Sequence, residues 1–358
     1  MKNLFFSFMA LPFLLSCNTA VNKIFGPGKT PHEAHADKIE NSVEGKQWIA
    51  VAESSLLSPQ PIRLPYGQHG FFPADKPRAV SLQFAAKRGE HVSIALNPNE
   101  NVLLYADIFR QDGTVTTHLH SLETDARVLE FNTEETATYI LRLQPQLSSS
   151  GQYDLTITPS PSLAFPVAGN KARVGSVWGD ARDGGSRSHE GIDIFAAKLT
   201  PAIAAADGTI TSVKDGGLGG KTIHLKVNGR NLSLYYAHLD QQLVEEGQSV
   251  QAGDTLGLVG NTGNARTTPA HLHFGIYTYG GAIDPLPFVN KVPATIPVVA
   301  AKDLQHRLQL IKPLLLKDKS TIKANTVLLP LAVTSTGYLA ELENGTLVEV
   351  GFKQVKKV

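Results

Sequence analysis

The sequence predicts an all-β, multidomain protein, and three observations carry that expectation: the length, the scatter of turn residues and a recurring period-two alternation. At 358 residues the chain exceeds one small core, because domains run to roughly 150 residues each, so two or three are expected. Its 31 Gly and 21 Pro are dispersed rather than massed in a repeat, as in chains built from many short strands. A composition of 42% hydrophobic and 18% charged residues is that of an ordinary globular protein. The formal net charge of +1 offers no basic field for a phosphate backbone, which excludes nucleic acid as a partner.

In chain order, residues 1–17 read as a targeting segment: Lys2, then an apolar run from Leu4 to Leu15, the length of a signal h-region and too short to span a bilayer. The run ends in Leu14-Leu15-Ser16-Cys17, which resembles the bacterial lipobox. That resemblance implies a lipid-modified Cys17, an anchor in the membrane and a cell-envelope location, with Asn18 closer to the outer-membrane pattern. Cys17 is the single cysteine; once acylated it leaves no thiol for disulfides, zinc or nucleophilic chemistry. Residues 18–45 are polar and interrupted by Pro27-Gly28 and Pro31, the composition of a tether, and His32 and His35 are read there as solvated.

Residues 46–160 alternate as half-buried strands do, in Val80/Leu82/Phe84, Val92/Ile94/Leu96, Tyr139/Leu141/Leu143 and Tyr153/Leu155/Ile157. Turn residues such as Asn97-Pro98-Asn99 and Asp112-Gly113 separate them, which predicts an antiparallel β-sandwich. The stretch is similar to the pre-peptidase sandwiches of secreted bacterial proteases. It contains His118-Leu119-His120 followed by Glu123 and Asp125. Both histidines should share one strand face, but no His-x-x-x-Asp pair precedes them in this region, so an exposed polar face is expected rather than a metal site.

Residues 161–292 hold the chemistry-bearing residues. His189 and Asp193 would stand roughly 13 Å apart in a straight strand, too far for one metal ion, and Gly191 argues against a helix. A loop bending at Glu190-Gly191 into a strand at Ile192–Phe195 brings them together and leaves Glu190 pointing away. In His271-Leu272-His273-Phe274, alternation puts both imidazoles on one strand face, roughly 7 Å apart at the backbone, with only one needed as a ligand. His238 closes Leu232-Ser233-Leu234-Tyr235-Tyr236-Ala237, the second arm of a hairpin turning at Asn228-Gly229, where a strand end would present it. His224 reads as an ordinary strand residue. Residues 293–318 form a connection with a short helix suggested by Leu304, Leu308 and Ile311, and residues 319–358, with a hairpin at Asn344-Gly345, look like a small Src-homology-like barrel.

The His-x-x-x-Asp of His189 and Asp193, the Tyr236-Ala237-His238 segment and the late His271-Leu272-His273 together resemble the lysostaphin and LytM type of zinc endopeptidase, over about 130 residues. The resemblance implies that His189, Asp193 and His273 bind zinc, that His238 and His271 are catalytic, and that the fold there is an antiparallel β-sheet. It also implies hydrolysis of peptide bonds in peptidoglycan stems or cross-bridges. The alternative is a catalytically silent relative that binds wall and activates amidases; such relatives usually lack ligands, whereas this chain keeps all of them.

Overall fold

The computed structural model describes residues 28–99, 102–290, 295–300, 302–316 and 319–358. The expected signal segment and Cys17 lie outside the described residues. Among those described, no helix is long and apolar enough to cross a membrane.

Antiparallel sheets dominate. A five-stranded sheet (in order Gln60–Pro61, Val80–Ala86, Ala137–Pro145, Leu104–Asp112, Val115–Ser121) faces a nine-stranded one containing Tyr66–Phe72, Gly151–Pro161, Glu90–Pro98 and Val128–Asn132. The alternating residues of the sequence fill the core between them: Leu82, Phe84, Ile94, Leu96, Leu141, Leu143, Leu155 and Ile157 are all buried there. A separate ten-stranded sheet carries the order Arg173–Ser176, Ile192–Phe195, His271–Thr278, Ser233–Gln242, Lys221–Val227, with its own core around Ile194, Tyr236, Leu272 and Phe274. Leu163 N–H donates to Phe288 O, and Arg230 reaches Ser162 and Glu134, so the two layers of structure meet along this seam.

Four expectations give way. The tether is in part helical: α1 (Pro31–Ile39) and α2 (Val43–Leu57) pack on the five-stranded sheet. Thr30 and Glu33 cap α1 reciprocally with Pro31 in the first turn, a start signal that outweighs the polar composition. His32, expected in solvent, is buried against Trp48 with its ring 4.4 Å away and hydrogen-bonds Gln144 at 2.7 Å. The suggested helix near Leu308 is the strand Leu308–Leu310, because Leu308 and Leu310 are both buried at period two.

No barrel closes over residues 319–358. Instead Val327–Thr334 pairs with Tyr66–Phe72 (Gln68 opposite Thr334, Gly70 opposite Ala332) and extends the sandwich sheet. So short a segment encloses too little apolar surface alone. It divides its side chains, Leu331, Ala332 and Leu339 into the sandwich core and Leu328, Val333 and Tyr338 into a smaller core behind. The fourth correction concerns His118 and His120. A register shift pairs His120 with Ile108 and His118 with Phe109, so the two lie on opposite faces. His120 packs against Phe131 and His118 against Phe109, and both stay exposed, as the sequence predicts.

Candidate metal and catalytic centre

The sheet builds the site by register. Asp193 stands directly opposite His273, and Phe195 opposite His271, so all four face the same side of the floor. His189 joins them from the loop that bends at Glu190-Gly191. A Cβ on Gly191 would meet the Phe274 carbonyl oxygen at 2.6 Å and the His273 ring at 2.7 Å, so only glycine lets the loop come this close.

Three donor atoms converge. His189 Nε2 lies 3.0 Å from Asp193 Oδ1 and 3.0 Å from His273 Nδ1, which is 3.1 Å from the same carboxylate oxygen. His189 Nδ1–H donates to Val177 O at 2.8 Å, so Nε2 keeps its lone pair toward the cluster. Lone pairs and a carboxylate oxygen brought together in this way repel unless a cation lies among them. Tetrahedral zinc with bonds of roughly 2.0–2.1 Å sets its ligand atoms roughly 3.3 Å apart, so the donor set fits that ion. The other carboxylate oxygen, Asp193 Oδ2, accepts from Arg182 Nη2 at 2.8 Å, and Arg182 also donates to Ser176 Oγ at 2.6 Å. Burial lowers His273 despite Asp193 beside it.

His238 reaches the cleft by a different device. It does not end its strand, which runs to Gln242. Ala237 opposes His273 while Tyr236 is in the core, so plain alternation would send His238 away from the cleft. The ladder slips here, and His238 takes φ +62°, a left-handed conformation that re-aims the side chain. Its Nδ1–H donates to Thr262 O at 3.0 Å, and His271 Nδ1–H donates to Pro269 O at 2.9 Å, leaving each Nε2 as the free nitrogen. The two rings are 5.1 Å apart and both are buried; His271 Nε2 is 4.0 Å from Asp193 Oδ1. Burial, then the neighbouring imidazoles of His271 and His273, depress His238 to about 4.

All five expected residues line one cleft of about 670 Å³. Glu190, expected to point away, lines it too, beside Tyr277, whose hydroxyl is pushed up to about 12 by burial and by the Glu190 carboxylate. Sequence reasoning missed Arg182, Tyr235 and Tyr277. Tyr277 was findable, since it continues the His271, His273, Gly275 alternation; Arg182 carries no spacing signal. His224 stays outside the cleft lining, its ring 4.7 Å from Tyr235.

Residues 187–285 match the family model described as Peptidase family M23. The chain is 38% identical over 130 residues to an uncharacterized metalloprotease of Haemophilus influenzae, covering 35% of this chain and 26% of that protein. It is 36% identical over 127 residues to an L-Ala–D-Glu endopeptidase of Bacillus subtilis, covering 32% and 39% respectively. It is also 36% identical over 135 residues to the murein hydrolase activator NlpD of Escherichia coli, covering 37% and 33%. The chain therefore spans well under half the length of each of these relatives. Among solved structures it is similar to the catalytic domain of lysostaphin from Staphylococcus simulans, at 32% identity over 33% of this chain and 92% of that one, with a TM-score of 0.31.

Proposed function

With residues 187–285 a peptidase family M23 domain, we propose that the chain is a zinc-dependent endopeptidase that hydrolyses peptide bonds in peptidoglycan stem peptides or cross-bridges. The observation that carries this reading is the meeting of His189, Asp193 and His273 through three donor atoms 3.0–3.1 Å apart, with the free nitrogens of His238 and His271 directed into the same cleft. We assign His189, Asp193 and His273 as zinc ligands and His238 and His271 as catalytic residues. Zinc held there would supply the Lewis acidity that amide hydrolysis needs.

The remaining work falls to the protein. The backbone acceptors Thr262 O and Pro269 O fix the tautomer of His238 and His271, so each presents a basic Nε2 to the cleft. An imidazole so placed accepts a proton from an attacking water and, once protonated, donates to a developing oxyanion or returns the proton to the leaving amine. Arg182 restrains Asp193 through Oδ2 and leaves Oδ1 toward the cluster. Among the described residues none from the sandwich sheets lines the cleft. We further read the chain as exported and lipid-anchored through Cys17, working at the cell envelope.

Similarity to an activator favours a second reading, a wall-binding regulator of amidases without turnover. Digestion of purified peptidoglycan by zinc-loaded protein, with mass analysis of the fragments, separates the two. New peptide termini are expected. Intact wall that still retains the protein would replace the enzyme with the regulator.

A further inference from the structure

The cleft does not stop at His271. Past Phe195 and Pro269, which line both spaces, lies a second recess of about 680 Å³ flanked by Lys171, Arg173 and Lys198. The sheet register fixes where this recess stands. Arg173 is directly opposite Phe195, and Phe195 directly opposite His271, so the three form one row on one face. At roughly 4.8 Å per strand spacing, Arg173 sits roughly 10 Å from His271 across the floor.

Phe195 marks the passage between the two spaces. Its ring is 5.1 Å from that of His271, and it lies over Gly175, where a Cβ would meet the ring at 2.6 Å. Beyond it, Lys171 and Arg173 are exposed and have no carboxylate partner among the described residues, whereas Lys198 is paired with Asp240 at 2.8 Å. Along the His271–Thr278 strand, at right angles to that row, Tyr277 and Glu190 line the cleft six residues on, roughly 20 Å from His271.

We propose that the recess at Lys171 and Arg173 is a substrate subsite that takes a free carboxylate of the bound peptide. The inference rests on the peptidase reading and deepens it: roughly 10 Å corresponds to about three residues of extended chain, so the carboxylate belongs to a residue about three positions from the bond held at the cluster. An amidated peptide loses the charge and with it this contact. Two exposed ion pairs discriminate modestly, by about fivefold in total.

The test uses zinc-loaded full-length protein and two fluorescent stem peptides identical except that the acidic groups of one are amidated. Anisotropy gives Kd and product analysis gives kcat/KM. The wild type should favour the free-carboxylate peptide by about fivefold. The double variant Lys171→Ala/Arg173→Ala should lose that ratio with zinc content unchanged, and Arg173→Glu should reverse it. A wild-type ratio of one, or a ratio the variants do not move, overturns the subsite while cleavage of both peptides leaves the peptidase reading standing. A ratio seen in binding and lost in the variants, without cleavage of either peptide, keeps the subsite and overturns the peptidase.

Discussion

The tripeptide His-Leu-His occurs twice in this chain, at His118–His120 and at His271–His273, and the two copies have nearly the same company. Each lies in an antiparallel strand, and each has near it an aspartate held by an arginine at 2.8 Å, Asp107 by Arg142 and Asp193 by Arg182. In the sandwich the strand slips by one residue, which sends His118 and His120 to opposite faces. Asp107 is then satisfied within the protein, Oδ2 by Arg142 and Oδ1 by the Ser121 hydroxyl at 2.6 Å, with His118 3.8 Å away. In the peptidase sheet the register is regular across Asp193 and His273, and Oδ1 of Asp193 meets only imidazole nitrogens. A candidate metal centre therefore depends less on which residues are present than on whether their lone pairs converge without a donor to satisfy them.

Substitutions at matched positions break or sharpen this contrast. The largest effect is expected at His273. His273→Ala should abolish zinc retention and lower wall hydrolysis by about a thousandfold or more, whereas His120→Ala should leave zinc content and hydrolysis as in the wild type; elemental analysis and turbidity of a wall suspension read both. A loss of zinc in His120→Ala would end the contrast. Next comes His271→Ala, which should keep the metal and lose turnover by about 10²- to 10⁴-fold. Were zinc lost instead, the two histidines of the tripeptide would exchange roles.

Arg182→Ala should weaken zinc affinity by about 10- to 100-fold, measured by competition with a chelator, because Asp193 loses the group that orients it. Its counterpart Arg142→Ala strands the buried Asp107 carboxylate and should lower the melting temperature while leaving zinc affinity alone. The smallest effects belong to the central leucines. Leu272 is fully buried and Leu119 only partly so; Leu272→Ala should cost about 2–4 kcal/mol in urea unfolding and Leu119→Ala about 1 kcal/mol. Equal losses would mean that the two strands are packed alike.

How much of this could be read from the sequence follows from the range of the forces involved. Alternation is local, so the strands through Val80, Val92, Tyr139 and Tyr153, and the shared face of His271 and His273, were legible. A bulge is not local: whether a strand slips depends on its partner, so the separation of His118 from His120 and the inward turn of His238 were not. Helix α1 was legible and overlooked, since Thr30, Pro31 and Glu33 spell a helix start inside a polar stretch. The strand at Leu308–Leu310 was mistaken for a helix because Leu304, Leu308 and Ile311 also match a helical period, and only the pairing with Val327–Thr334 and Val355–Lys357 decides between them.

The pairing of Tyr66–Phe72 with Val327–Thr334 also sets an order of events in synthesis. Gln68 and Thr334 are hydrogen-bond-ladder partners separated by the entire peptidase sheet in sequence. As the chain emerges, the sandwich sheet keeps an unpaired edge until the later strand has been made, while the peptidase sheet already has all its own strands. Contacts of such long range form slowly, and an open edge invites pairing with a neighbouring chain in the meantime. The half that carries the candidate site is in this way ready before the half that completes the fold, and a chaperone shielding the Tyr66–Phe72 edge would protect the nascent protein through that interval.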